Sequence, residues 1–398
     1  MGERFASREL DQQILGRQQQ DQQLQDQQPL GRQERDQQKL RQWFLFSYDA
    51  RSSRPDKVRW LAAGGSAQTY LQQFGKPTLS SAQKLIWQQT CEFTTKHRHY
   101  CLTPDHSSYP AGLNHCTDPA HILYAIGDLT VLESPSVSIV GSRRPTDLGV
   151  RAVESLGSQL ADLGITITSG LALGIDSVAH RMALRHGAAT VAVMPCGADT
   201  VYPARHRGLY EQIIERGLVV SEYPPHTKAA KYRFAQRNRL ISGISVGTLI
   251  VEAAQKSGTL ITARWTMEQD RVLMVVPGSV FNAQYQGSHR LIQQGAYLVQ
   301  SSEDVLELLA DPLATHLSQY KQMPASADNC GVPTGLNKGL RLDKRYAPIV
   351  EPLQTADMPV DQIIEHSGLT ASEVSAMLLL LEVDGIVACT PDGRYYLS

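Results

Sequence analysis

Small residues follow short apolar runs at two places near the middle of this 398-residue chain, and two arginines accompany them at the first place. The runs, 137–140 and 165–168, have the length of buried parallel strands, and an amphipathic segment follows each of them. The turns contain Gly141, Ser142, Arg143 and Arg144 in the first case, and Ser169 and Gly170 in the second. Backbone N–H groups at such turns, together with the positive end of the next helix, favour an anion. The pattern therefore predicts a phosphate-bearing ligand.

A basic segment between residues 223 and 251 is the strongest electrostatic feature. It contains no acidic residue and carries the cations Lys228, Lys231, Arg233, Arg237 and Arg239. The aromatic residues Tyr232 and Phe234 lie among them. A solvated basic face is the ordinary explanation of such a run. We favour a functional explanation because the segment follows a predicted strand end, and because cations beside stacking rings are what binding of single-stranded nucleic acid requires.

A third small-residue turn opens the helix after the predicted strand that ends in Glu252. It consists of Ser257, Gly258 and Thr259. In a parallel sheet the carboxyl ends of the strands share one edge, and ligands bind in the crevice outside it. Several such turns with basic residues beside them indicate an extended anionic ligand rather than a single mononucleotide.

Motifs for catalysis are missing or weak. The chain has no GxGxxG after its first strand, and no GxxxxGK[ST] or HExxH. Four carboxylates could serve as general bases, namely Asp176, Glu222, Glu252 and Glu268. Asp176 and Glu252 lie at strand–helix junctions, where helix capping or pairing is the commoner role. The Cys and His residues between 91 and 116 match no zinc spacing. We therefore predict no catalytic residue, no cofactor and no metal site.

The elements that must position these residues alternate between strand and helix from about 118 to 310. This rhythm predicts an α/β fold with an extended Rossmann-like, doubly wound parallel sheet. Residues 1–40 are rich in glutamine and are predicted to be disordered. Residues 41–117 are predicted to form a small helical module, and residues 311–344 a linker. The tail, 345–398, shows three helical patterns and a hairpin, which is the outline of a winged helix.

Charge argues against duplex binding by this tail. The net charge of the chain is −1, but residues 346–398 contain eight acidic residues against one basic residue, Arg394. Phosphates would be repelled by such a surface. We predict a protein-docking or regulatory role for the winged helix.

Six motifs in this order resemble the DNA-processing protein A (DprA/Smf) family. They are IVGSR at 139–143, SGLALGID at 169–176, SEYP at 221–224, FAQRNR at 234–239, SGTLITA at 257–263 and VPG at 276–278. The resemblance covers about 118–309, and the tail resembles the C-terminal winged helix of that family. It implies a non-catalytic protein that receives and protects incoming single-stranded DNA during natural transformation and recombination. It also implies a homodimer formed through the Rossmann-like domain, and loading of the recombinase RecA.

The resemblance also implies which residues contact DNA. Family phosphate-binding positions correspond to Gly141, Ser142, Arg143, Ser169, Gly170, Arg237, Arg239, Ser257, Gly258 and Thr259. We predict a DNA-binding set that further includes Arg144, Arg205, Arg207, Lys228, Lys231 and Asn238.

Two other functions remain open at this point. A nucleotide-processing hydrolase of the lysine-decarboxylase-like class would share the Rossmann layout, but the turn at 257–259 lacks the two preceding glycines and the following glutamate of its PGGxGTxxE signature. A protein-interaction scaffold would use the basic segment to meet an acidic partner. No apolar run approaches the ~18 residues of a membrane span, and the start is polar, so we expect a cytoplasmic protein with no membrane span.

Overall fold

A nine-stranded sheet covered by helices on both faces forms the centre of the molecule. The computed structural model describes residues 32–114, 116–322, 346–354, 356–383, 386–390 and 393–397. The predicted disorder of residues 1–31 and the predicted linker residues 323–344 lie outside these ranges. Residues 32–40 and 311–322, which the sequence assigned to the disordered start and the linker, are helical.

The N-terminal helices pack their aromatic residues onto one side of the sheet domain. They are α1 (Arg32–Tyr48), α2 (Arg54–Ala62), α3 (Ala67–Phe74) and α4 (Ser81–Thr94). Ser53, Ser66 and Ser80 begin α2, α3 and α4 with capping boxes, in which the serine side chain accepts a backbone N–H of the first turn. Phe44 and Phe46 are fully buried in the core that these helices share with the sheet.

One strand lies where the sequence predicted only helices. Strand β1 (His99–Leu102) precedes the short helix α5 (Ala111–Asn114), and it pairs antiparallel with β2 (Leu123–Gly127). Strand β2 pairs antiparallel with the edge of the parallel sheet. The helical module therefore ends near residue 94, and the sheet domain begins at β1.

Seven parallel strands make up the rest of the large sheet. They are β3 (Ser136–Gly141), β4 (Thr166–Ser169), β5 (Thr190–Val193), β6 (Leu218–Ser221), β7 (Gly247–Val251), β8 (Val272–Val275) and β9 (Tyr297–Leu298). The spatial order is β1-β2-β6-β5-β4-β3-β7-β8-β9. From β3 the chain first moves outward through β4, β5 and β6, and then returns to place β7 on the other side of β3. This reversal creates a crevice at the carboxyl ends of β3 and β7.

Helices cover both faces of this sheet, as the alternating pattern predicts. They are α6 (Asp147–Asp162), α7 (Ile175–Arg185), α8 (Arg207–Arg216), α9 (Lys231–Ile244), α10 (Thr259–Glu268), α11 (Gln286–Gln293) and α12 (Ser302–Gln322). Buried residues of α6, α7 and α12 share one core, and those of α9, α10 and α11 share another. The prediction of a doubly wound Rossmann-like sheet is confirmed, with antiparallel strands added at one edge. None of the described helices is both long and apolar enough to cross a membrane.

The C-terminal segment forms the predicted winged helix. Its elements are α13 (Ala347–Leu353), β10 (Met358–Pro359), α14 (Val360–Ser367), α15 (Ala371–Val383), β11 (Val387–Cys389) and β12 (Arg394–Leu397). The strands form a small sheet in the order β10-β12-β11. Helix α15 packs against α12, and Val374, Leu378 and Leu381 are buried in a core continuous with that of the sheet.

Candidate nucleic-acid interface

An open cavity of about 1090 Å³ occupies the crevice at the carboxyl ends of β3 and β7. The structure brings three of the predicted segments together around it: the turn after β3, the first turns of α9 and the turn before α10. The predicted residues that line it are Gly141, Ser142, Arg143, Lys231, Arg237, Asn238, Ser257, Gly258 and Thr259. Cations, hydroxyl groups and rings therefore surround one space.

Tight backbone packing fixes the turn after β3. The amide of Ile175, at the start of α7, donates to the carbonyl of Ser142 at 3.0 Å. Gly174 has a φ of 80°, and a Cβ atom there would lie 2.2 Å from the Ser142 carbonyl oxygen, so only glycine allows this approach. The Ser142 hydroxyl accepts the Arg144 amide at 3.1 Å. The turn is thus rigid, whereas the exposed Arg143 side chain lies with its guanidinium 5.4 Å from the centre of the Phe234 ring.

Hydrogen bonds join the turn before α10 to the turn after β3. Thr259 Oγ1 donates to the Gly141 carbonyl at 3.0 Å, and the Ser257 hydroxyl donates to Thr259 Oγ1 at 2.9 Å. Asn238 Nδ2 donates to the Gly258 carbonyl at 3.4 Å, which links α9 to the same turn. The positive end of α10 therefore faces the cavity, where it favours an anionic group.

Aromatic rings lie close to cations in the first turns of α9 and beside them. Phe234 meets Tyr202 edge to face at 5.3 Å between ring centres. The Arg233 guanidinium lies 4.8 Å from the centre of the Tyr223 ring and 5.5 Å from that of Tyr232. Tyr232 is 59% exposed, so its ring is open to a stacking partner.

Arg237 supplies a fixed positive charge at the base of the cavity. Its Nη1 donates to the carbonyl of Gly170 at 2.7 Å and to that of Val193, and its Nε donates to Asn238 Oδ1 at 3.2 Å. Burial lowers the pKa of Arg237 to about 10, and the nearby Asp176 carboxylate opposes that shift. The guanidinium is therefore charged at neutral pH and held in one orientation.

Arg239 lies elsewhere, inside the protein. Its Nε contacts Asp118 at 3.1 Å and its Nη2 contacts Glu222 at 2.5 Å, and the residue is 1% exposed. Burial alone would lower the pKa of Arg239, but the Glu222 and Asp118 carboxylates raise it overall. Arg54 of α2 pairs with the same two carboxylates. This ion cluster ties the N-terminal helices to the sheet domain, away from the residues that line the cavity.

The remaining predicted residues do not line the cavity. Ser169 is fully buried and its hydroxyl donates to the Ile139 carbonyl at 2.7 Å. Gly170 lies behind Arg237, because a Cβ atom on it would be 2.3 Å from Nη1. The exposed members of this group are Arg144, Arg205, Arg207 and Lys228.

Lining residues that sequence reasoning missed include Tyr202, Lys256 and Gln284. Lys256 could have been found, since it is a cation directly before the 257–259 turn. Tyr202 and Gln284 carry no local signal, because only the fold brings their loops to this edge.

The carboxylates of Glu252 and Asp176, which lie at strand–helix junctions, accept hydrogen bonds from the surrounding backbone and side chains. Glu252 accepts the Thr146 amide at 2.9 Å and the Tyr285 hydroxyl at 2.9 Å, and it also accepts the Thr146 hydroxyl. Thr146 is the N-cap of α6, so Glu252 fixes where that helix begins. Asp176 accepts the Ala172 amide at 3.4 Å, and burial raises the pKa of its carboxyl group. Over the described ranges, no three His, Cys, Asp or Glu side chains are grouped to hold a metal ion.

Two parts of the chain match known domain families. The family model described as DNA recombination-mediator protein A matches residues 100–310, and the DprA winged helix domain matches 339–393. Protein Smf of Synechocystis sp. is 38% identical over 315 residues, which cover 74% of this chain and 79% of that protein. Protein Smf of Escherichia coli is 37% identical over 317 residues, covering 79% and 82% respectively.

A solved structure extends the agreement to three dimensions. The X-ray structure of DNA processing protein A from Streptococcus pneumoniae is 32% identical, covers 68% of this chain and 95% of that chain, and has a TM-score of 0.55. The first family match begins at β1, where the structure also places the start of the sheet domain. Because that match covers more than half of the chain, the protein belongs to the DNA recombination-mediator protein A (DprA/Smf) family.

Proposed function

We propose that this protein binds single-stranded DNA along the carboxyl edge of its large sheet, without reading base sequence and without catalysing a reaction. The observation that carries the proposal is the pairing of cations with aromatic rings in the cavity and directly beside it. The Arg143 guanidinium and the Phe234 ring line the cavity 5.4 Å apart. Outside the lining residues, the Arg233 guanidinium lies within 5.5 Å of the ring centres of Tyr223 and Tyr232. Cations can follow the phosphates of a strand while rings stack on its bases, and every base has a face to stack.

Duplex DNA fits this arrangement of cations and rings poorly. In a duplex the base faces are already stacked on one another, so exposed rings such as Tyr232 gain nothing from it. An unpaired strand offers those faces together with its phosphates. The cavity should therefore prefer single strands, and its affinity should depend steeply on salt because binding to phosphates releases counterions.

The family supports a wider role that we include in the proposal. Relatives are named DNA processing protein, and the matching model is described as a recombination mediator. We propose that the protein, acting as a homodimer in the cytoplasm, protects incoming single-stranded DNA during natural transformation and transfers it to RecA.

A salt-dependent binding titration tests the cavity. We expect a fluorescent single-stranded oligonucleotide to bind more tightly than the same sequence as a duplex. The double variant Arg143→Ala with Lys231→Ala should bind it at least tenfold more weakly at ~0.1 M salt. The slope of log affinity against log salt should become shallower by about 0.7 for each phosphate that the variant no longer neutralises.

The matched control is Arg185→Ala. Arg185 is an exposed arginine at the carboxyl end of α7, which lies at the opposite edge of the sheet. This variant should keep the wild-type affinity and slope. Equal affinity of the wild type for single strands and duplex, or equally weakened binding by both variants, would contradict the proposal.

A further inference from the structure

A phenylalanine stands in solvent on the loop that follows β8. Phe281 is 96% exposed and its neighbour Val280 is 72% exposed. Two apolar side chains at one loop tip are unfavourable in water unless something covers them, and such a tip is typical of a contact surface.

Hydrogen bonds and packing fix the backbone of the loop on both sides of Phe281. The Phe281 amide donates to the Ser279 hydroxyl at 3.3 Å, and the Asn282 side chain accepts the Gln284 amide at 3.0 Å. Before the tip, Gly278 lies against the Tyr285 ring so closely that a Cβ atom would be 2.1 Å from it. The backbone on both sides of Phe281 is therefore held by bonds and packing, which lowers the entropy cost of stacking on this ring.

The tip belongs to the same sheet edge as the cavity. Strand β8 is the parallel neighbour of β7, so the loop after β8 leaves from the carboxyl edge at which the 257–259 turn lies. The Gly287 amide donates to the Ala253 carbonyl at 2.8 Å, and Ser288 Oγ accepts the Ala253 amide at 3.0 Å. Gln284, three residues after Phe281, lines the cavity. Phe281 therefore lies at the same sheet edge as the cavity, on its β8 side.

We propose that Phe281 is a base-stacking residue that extends the single-strand site beyond the cavity. The inference rests on the proposed function, because the ligand is the same DNA strand. An unpaired base suits the ring, because the faces of the base are flat and apolar. In addition, the phosphates held in the cavity would already tether the strand at this edge. Because the ring binds no phosphate, its contribution should be independent of salt.

The test compares Phe281→Ala and Phe281→Trp with the wild type in full-length protein. An oligonucleotide long enough to pass the cavity should bind Phe281→Ala about tenfold more weakly, with an unchanged salt slope. Phe281→Trp should keep the wild-type affinity, and its added fluorescence should be quenched by the DNA. On an oligonucleotide of abasic residues with the same number of phosphates, Phe281→Ala and wild type should bind equally. Leu85→Ala, which removes an exposed apolar side chain from α4, should change nothing.

Three results would overturn the inference, and they separate it from the proposed function. If the wild type binds single strands and Phe281→Ala binds them equally well, the stacking role is wrong and the cavity site stands. If Phe281→Ala instead changes the mass of the protein in solution, the tip contacts a second copy rather than DNA. If the wild type binds no single-stranded DNA, the proposed function itself fails.

Discussion

Arg237 and Arg239 show how two buried arginines of one helix can have different roles. They are two positions apart on α9, so their side chains leave the helix in nearly opposite directions. Arg237 points to the base of the cavity, where its Nη1 donates to two backbone carbonyl groups and the Asp176 carboxylate lies nearby. The charge of Arg239 is matched by Asp118 and Glu222.

We expect Arg239→Ala to destabilise the protein rather than weaken DNA binding directly. The substitution leaves Glu222 and Asp118 with Arg54 as their remaining cation, so the free energy of unfolding should fall by about 3 kcal/mol. Urea unfolding measures this change. The control, Arg185→Ala, removes an exposed ion pair and should cost less than ~1 kcal/mol. An Arg239→Ala protein that unfolds at the wild-type urea concentration but binds no DNA would contradict this assignment.

Residue types alone could not separate these two arginines. The sequence predicted that both belong to the DNA-binding set, because the two share a basic segment and a family motif. The partners of Arg239 are 121 and 17 positions away in the chain. A pairing over such a separation depends on the fold, and no local pattern records it.

At the scale of elements, most of the site follows from the sequence. Short apolar runs followed by small residues correctly placed β3, β4 and β7, and the turn after β3 and the turn before α10 meet at the cavity. Strand β1 was missed because only four residues form it, among histidines that give no alternation, and because its pairing with β2 is set by the sheet. In the segment after β8 only the VPG motif at 276–278 was used from the sequence, and the exposure of Phe281 required the structure.

The packing of α7 on β5 gives the fold a dependence on pH. His180 is fully buried, and its Nδ1 lies 2.7 Å from Thr190 Oγ1. The Thr190 hydroxyl donates to the Ile167 carbonyl, so its oxygen accepts and Nδ1 of His180 carries the hydrogen. Burial lowers the pKa of His180 to about 3, so the neutral ring is the form that fits.

We expect His180→Asn to reduce the acid sensitivity of the protein. The pKa of His180 is lower in the folded state than in the unfolded state. The contribution of the neutral ring to the free energy of unfolding is therefore fully present above pH ~6.5 and is lost as the pH falls toward 3. Between pH 6.5 and 4.5 the wild type should lose about 2 kcal/mol more unfolding free energy than His180→Asn, whose amide can still donate to Thr190. Urea unfolding at several pH values measures the difference, and parallel curves for the two proteins would contradict it.

At the scale of the whole molecule, the winged helix is held against the sheet domain. Helix α15, the third helix of that module, buries Val374, Met377 and Leu381 in the core that includes α12. In winged helices that bind duplex DNA the corresponding helix enters the major groove. The contact of α15 with α12, together with the acidic tail, supports the prediction of a docking or regulatory role for this module. The sequence predicted the charge and the fold of the tail, but not its packing on α12.

The most direct test of single-strand binding at the carboxyl edge of the sheet is photo-crosslinking. The wild-type protein is irradiated with single-stranded oligonucleotides that carry 5-iododeoxyuridine at successive positions, and the modified peptides are identified by mass spectrometry. We predict crosslinks at Tyr202, Tyr232 and Phe234, which line the cavity. The winged helix contains Tyr395 and Tyr396, so it could also react if DNA bound there. Crosslinks confined to that module, or to the N-terminal helices, would contradict the claim that the carboxyl edge of the sheet is the single-strand site.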